Sequence, residues 1–299
     1  MHELLNIAPG VANAILAQRP VVALESTVIA HGLPRPQNLE TARRLETVVR
    51  NEGGVPATIA ILDGKLFAGL SDYHLQLLAD GNDIKKISTR DISVAVAQGW
   101  NGATTVASTI WIANRAGIKV FATGGIGGVH RGSLPDVSAD LPELARTPII
   151  VVCSGAKIVL DLPATREWLE THGVTVAGYQ CDELPAFYSR QSGLPIDVRA
   201  ESPEDVASIF HTQRSLGLES ALLVVVPVPA KSEVPAETLQ QVLTTALEDA
   251  EWKGITGSAL TPFLLSQMAE RSGGATLRAN IALLENNARV AAEIARALG

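Results

Sequence analysis

Lys157 lies in the stretch PIIVVCSGAKIVLDLPATREWLE, which begins at residue 148, between a run of β-branched residues and a helical pattern from Ile158 onward. An ammonium group there meets an apolar setting and the positive end of a helix dipole, and both disfavour its charge. The pattern predicts a depressed pKa and an amine that is partly neutral at pH 7, the form that attacks a carbonyl to give a Schiff base. A lysine snorkelling to solvent from the first helical turn satisfies the same pattern. Glu25, in LESTVIAHGLPRPQN, follows four apolar residues and precedes the apolar Val28, Ile29 and Ala30. A carboxyl at the edge of a core keeps its proton toward neutrality, as a general acid must; alternatively, backbone N–H groups satisfy it as a plain carboxylate.

Other stretches carry polar groups at element ends. TGGIGGVHRG has glycines at 124, 125, 127 and 128, with His130 and Arg131 behind them. Such a loop either turns its N–H groups toward a phosphate or makes a tight structural turn. It fits neither the GxxxxGK[ST] pattern nor a GxGxxG after the first strand. In SLPDVSADLPEL, Asp136 and Asp140 are four residues apart, a spacing that suits a hard cation such as Mg²⁺ or Mn²⁺. Ser138 or Asp140 equally suits an N-cap for a short helix over LPELA. Lys85 and Lys86 precede the polar turn of DIKKISTRDI, where Lys86 either faces a phosphate or sugar hydroxyl or is solvated. Thr104 and Thr105 of GATTVAST open a helix, and Asn280 is a polar group on an apolar helical face.

These residues need a scaffold. Strand-like runs recur at 21–24, 57–62, 120–122, 149–152, 174–177 and 222–226, and helical patterns alternate with many of them, at 39–50, 73–79, 92–98, 108–116, 158–170, 203–215 and 237–252. The alternation predicts a largely parallel sheet covered on both faces. Asp63-Gly64 between two short apolar runs predicts a hairpin, so the sheet is expected to be mixed. Beyond it, the C-terminal stretch is helical and is divided by Ser272-Gly273-Gly274. In an open α/β sheet, ligands bind beyond the carboxyl ends of the strands, where most of these groups fall.

Composition narrows the partners. With 46% apolar and 18% charged residues among 299, the chain has ample material for a large core, and no linker or repeat divides it, so 1–299 reads as a single domain. A net charge of -7 without a basic cluster argues against nucleic acid and anionic membranes, yet leaves room for a phosphorylated small molecule at a locally positive site. Cys153 and Cys181 cannot build a disulfide framework and suit a reducing cytoplasm. No segment resembles a leader or a spanning helix.

In order, ESTVIAHGLPRPQN, KISTRD, GATTVAST, TGGIGGVHRG, DVSADLPEL, CSGAKIVLDLPAT, DELPAFYSR, ALTPFLL and ANIALLENNARVAA resemble the pseudouridine-5′-phosphate glycosidase family, also called indigoidine synthase A-like, from about residue 10 to the C-terminus. The resemblance implies a three-layer α/β/α fold, a homotrimer and reversible cleavage of pseudouridine 5′-phosphate to uracil and ribose 5-phosphate, with Mn²⁺ bound. By position, it makes Lys157 the covalent lysine and Glu25 the proton donor. It makes Lys86, Val106, Ser138, Ala139 and Asp140 substrate contacts and Asp136 the metal ligand, and it places His130 and Asn280 near the ligand. Many members have a longer stretch between HRG and the metal aspartate, where this chain has only Ser133, Leu134 and Pro135. A Schiff-base lyase or aldolase acting on another phosphosugar shares the lysine, and a non-catalytic nucleotide-binding protein would use it only as a charge.

Overall fold

The computed structural model describes residues 4–132, 136–255, 257 and 260–299. Its strands are β1 (Leu5–Ile7), β2 (Val21–Leu24), β3 (Val55–Leu62), β4 (Lys65–Ala68), β5 (Lys85–Ile87), β6 (Gly102–Thr104), β7 (Val120–Ala122), β8 (Ile150–Cys153), β9 (Thr175–Tyr179), β10 (Val198–Ala200) and β11 (Leu222–Val225). They form one 11-stranded sheet in the order β1-β4-β3-β2-β7-β8-β11-β9-β10, with β5 and β6 attached beside β3. Pairing is parallel except at β3–β4 and β3–β6, so the sheet is mixed and mostly parallel, flanked by helices in the expected α/β/α manner. Of these two antiparallel pairs, β3–β4 is the predicted hairpin. Asp63 and Gly64 have φ of 47° and 69°, the left-handed pair that a two-residue turn matching strand twist demands.

Strands β2, β7, β8 and β11 are buried along their whole length, which explains why they read as unbroken apolar runs rather than alternating ones. From β2 the chain moves outward to β3 and β4 on one side, then returns to add β7 and β8 on the other. The β2–β7 boundary is therefore a topological switch point, where chain crossovers leave a crevice at the carboxyl ends. In register, Leu24 pairs Ala122 and Ala122 pairs Val152, so these three strands deliver their next residues, Glu25, Thr123 and Cys153, to one edge.

The C-terminal pattern resolves into helices Leu260–Arg271 and Ala275–Ala297, separated where Gly273 and Gly274 adopt φ of 60° and 78°. The second runs across β2, β7 and β8 and buries Ala279, Leu283, Leu284, Ala288 and Ala291 against them. Small residues on that face let a 23-residue helix approach the strands closely. Among the described residues, no helix is long and apolar enough to cross a membrane.

One helix boundary differs from its sequence pattern. The helix expected from Ile158 starts at Leu162, with Asp161 as N-cap accepting from Ala164 N at 3.0 Å and proline in the first turn. Val159 and Leu160 are buried as loop residues, so their apolar character comes from packing and not from a helical face. The short strands β1, β5 and β10 and the helix Pro9–Leu16 carry too few residues for periodicity to reveal them.

Candidate active site

A cavity of about 640 Å³ opens at the carboxyl edge of the sheet. Glu25 and Lys157 line it, as do Lys86, Val106, His130, Asn280, Asp136, Ser138, Ala139 and Asp140. Residues from 25 to 280 in the sequence thus meet at one place, and every position implied by the resemblance is among them.

Glu25 directly follows β2 and is buried. Burial is the largest influence on its carboxyl and raises the pKa, opposed first by the Lys157 charge and then by a hydrogen bond from Thr123 Oγ1. The backbone behind it is fixed by hydroxyls: Ser26 Oγ donates to Ile59 O at 2.6 Å and accepts from Thr104 N at 2.8 Å. Sequence reasoning had no place for Thr123. Its signal was its position as the first residue after a buried strand, beside the glycine run.

Lys157 is half-buried in the loop after β8, not at a helix end. It precedes the Asp161 N-cap by four residues, so the helix dipole invoked for it, which acts within the first turn, does not reach it. Its loop instead runs alongside the glycine loop: Ser154 N donates to Gly124 O at 2.9 Å, Ile126 N to Gly155 O at 3.1 Å and Lys157 N to Ile126 O at 3.2 Å. Gly155 has φ of 81°, and a Cβ there would collide with the carbonyl oxygen of Pro185, so glycine is required on both counts. Neighbouring Cys153 is no rival nucleophile, since burial pushes its thiol up to about 12.

The glycine loop is mainly a packing device. A Cβ at Gly125 would strike the Phe187 ring at 2.8 Å, and one at Gly127 would strike Asp140 Oδ2 at 2.7 Å. Several N–H groups that a phosphate cradle would need are already used: Ile126 by Gly155 O, Gly127 by Asp140 Oδ2 at 2.7 Å, Val129 by Thr165 Oγ1 at 2.9 Å and His130 by Asp136 O at 2.8 Å. Among the described residues, the N–H groups of Gly124 and Gly125 have no protein acceptor, and both glycines line the cavity.

Asp140 is the first residue of the short helix Asp140–Leu144 and does not cap it. Its Oδ1 accepts from Ala107 N at 2.9 Å, in the first turn of the helix Val106–Arg115, while Oδ2 holds Gly127. Each oxygen thus accepts one backbone N–H, which fixes the carboxylate between the glycine loop and the helix Val106–Arg115. Ser138 Oγ accepts from Asp140 N at 3.2 Å.

Asp136, with its side chain 57% exposed, stands at the rim with His130 Nδ1 4.0 Å from its Oδ2. Among the described residues, no group of three His, Cys, Asp or Glu side chains converges as a metal cage. A lone exposed carboxylate fits a hard ion that keeps most of its waters. The three residues ahead of it, Ser133, Leu134 and Pro135, lie outside the described residues, so the short loop noted there is not described.

Lys86 lines the cavity from β5, and its pKa is lowered first by desolvation and then by the Lys157 charge, with Asp140 and Glu25 opposing. Lys85, by contrast, pairs with Asp83 at 2.6 Å on the surface. His31 also lines the cavity; burial, then the Lys86 charge, lowers its pKa. Phe187, at φ 63°, forms an apolar wall facing the polar one.

The sequence matches the family model for indigoidine synthase A-like proteins over residues 10–297. A curated relative from Methylobacterium nodulans, named pseudouridine-5′-phosphate glycosidase, is 52% identical over 99% of this chain and 89% of its own length. One of the same name from Caldanaerobacter subterraneus subsp. tengcongensis is 49% identical over 99% of this chain and 97% of its own. Among solved structures, the prealnumycin C-glycosynthase AlnA in complex with ribulose 5-phosphate superposes with a TM-score of 0.91 at 41% identity, covering 99% of this chain and 97% of its own.

Proposed function

The chain belongs to the family of indigoidine synthase A-like proteins, and from that premise we propose that it reversibly breaks the C-glycosidic bond of pseudouridine 5′-phosphate, releasing uracil and ribose 5-phosphate, through a covalent adduct at Lys157. The observation that carries this reading is the meeting of a buried Glu25, its pKa raised by that burial, with Lys157 in one cavity.

The scissile bond joins ribose C1′ to C5 of uracil, so no leaving heteroatom is available to protonate and hydrolysis by two carboxylates does not apply. The Lys157 amine attacks C1′ and the ribose ring opens, with O4′ leaving as a hydroxyl that takes the proton released from nitrogen. The nitrogen lone pair then forms C1′=N as the C1′–C5 pair leaves on C5, where a proton from Glu25 completes uracil. Water adds to the iminium, returns the amine and frees ribose 5-phosphate while Glu25 recovers its proton.

Lys86 and the N–H groups of Gly124 and Gly125 supply donors for the phosphate, whose remote binding holds C1′ against the amine. Asn280, His130, Val106 and the 138–140 turn close the remaining walls around the substrate. Asp136 would hold a Mn²⁺ ion with water as the other ligands; when bound, the ion supplies positive charge on the phosphate side. The enzyme works as a homotrimer in the cytoplasm, a setting that suits two free thiols; elution at the 31.5 kDa of one chain would remove the trimer.

The test is intact-protein mass after incubation with pseudouridine 5′-phosphate and Mn²⁺ and reduction with borohydride. A ribose-phosphate-sized gain, absent from Lys157→Ala, is the expected result. Uracil release without any gain would refute the adduct, and neither uracil nor gain would point to a different phosphosugar.

A further inference from the structure

Asn287 has no part in the chemistry above and is fully buried in the helix Ala275–Ala297. Its Nδ2 donates to Thr123 O at 2.8 Å and to Ser154 Oγ at 3.1 Å, and Ser154 Oγ lies 3.3 Å from its Oδ1. One amide therefore ties the first residue after β7 to the first residue after β8, using both its donor and its acceptor.

Each tie leads to a reacting group. Thr123 donates its hydroxyl to the Glu25 carboxyl. Ser154 leads, through Gly155 with its positive φ, to Lys157 three residues on. The tie falls where the strands end and the glycines begin, and adds a side-chain link to the three backbone bonds that already join the two loops. An apolar residue at 287 would leave a buried carbonyl and a buried hydroxyl without this partner, and the two loops would have reason to shift against each other even with their backbone bonds in place.

We infer that Asn287 is a positioning residue that holds Glu25 and Lys157 in register, acting through Thr123 and Ser154; the inference rests on the acid and nucleophile roles proposed above. Small misplacement of reacting groups is costly: about 1 Å accounts for roughly a 100-fold loss. Lys86, on β5, binds the phosphate outside this tie, whereas the Gly124 and Gly125 N–H groups sit on the loop that Asn287 holds, so phosphate binding is affected less than chemistry but not spared.

Uracil release, the rate of borohydride-trapped adduct formation and thermal unfolding are to be measured on the unmodified protein, Asn287→Ala, Asn287→Asp and Asn286→Ala. Asn286 is the same-helix control, since among the described residues its side chain accepts only from Arg289, at 3.0 Å. Folded Asn287 variants are expected to lose about 10- to 100-fold in kcat and in trapping rate, with a smaller rise in KM from the Gly124–Gly125 donors on the same loop, while Asn286→Ala matches the parent. A folded Asn287 variant with parental kcat, or a loss that vanishes once corrected for the unfolded fraction, overturns the inference.

If neither Asn287 variant folds, Thr123→Val decides. The charged groups facing Glu25 are Lys157, Asp140 and Lys86, all retained in that variant. Removing the hydroxyl that favours the carboxylate must shift the alkaline limb of the kcat profile to higher pH, and an unmoved limb overturns the relay through Thr123. An unmodified protein that releases no uracil sinks the functional reading and this inference with it, whereas parental release with unimpaired folded variants sinks this inference alone.

Discussion

Glu25 and Asp136 are two carboxylates on one cavity, and their surroundings differ in almost every respect. Glu25 leaves the end of a fully buried strand, receives the Thr123 hydroxyl and has its pKa raised by burial. Asp136 stands on an exposed rim, with an imidazole 4.0 Å away. On the proposed roles, the inner wall favours the protonated carboxyl, whereas the exposed rim suits a hydrated ion. Environment, more than residue type, divides the labour.

The sharpest break of that comparison is Lys157→Ala on the inner wall. Its uracil release should fall by on the order of 10⁵-fold, the scale seen when a covalent nucleophile is lost, with no trapped adduct. Next comes Glu25→Gln, expected to lower kcat about 10²- to 10⁴-fold while still allowing substrate to bind. That variant also has a stability signature. Because the folded-state pKa of Glu25 is raised, its contribution is complete below the ordinary carboxylate range and is lost as pH rises through the raised value. Thermal unfolding against pH should therefore show a fall on the alkaline side in the parent that Glu25→Gln flattens.

Lys86→Met should act mainly on KM, raising it about 10- to 100-fold for the phosphorylated substrate and hardly at all for pseudouridine itself, since charged hydrogen bonds to phosphate contribute on that scale. Equal losses on both substrates would move Lys86 away from the phosphate. Asp136→Asn should be the mildest, on the order of tenfold at low Mn²⁺ and recovered by excess metal, because one carboxylate among water ligands holds an ion weakly. If Asp136→Asn proves as severe as Glu25→Gln, the division between wall and rim is wrong.

The inner wall was more legible in the sequence than the way it is held. Unbroken apolar runs marked β2, β7 and β8, and the groups following them fell where parallel sheets expose their ends. Lys157 was found for a partly mistaken reason: the helix behind it begins at Leu162, because an aspartate cap and a proline outweigh the apolar pattern of Val159 and Leu160. The glycine run suggested an anion cradle, yet much of its spacing serves contact with Phe187, Asp140 and Thr165. Those partners are 13 to 62 residues away in sequence, and no local pattern records such a contact. The same distance hid Asn287, whose amide reaches Thr123 across 164 residues.

That last span bears on the chain as it leaves the ribosome. Glu25, Lys86 and Lys157 are all translated long before Asn280 and Asn287, and the parallel β2–β7 and β7–β8 pairs draw on strands made before the last helix. An unfinished chain would then carry a reactive amine near an acid, but without the helix that closes the cavity and ties its loops. Competence arrives with one of the last segments synthesised, so a truncated product should be inert toward cellular aldehyde sugars instead of a loose trap for them.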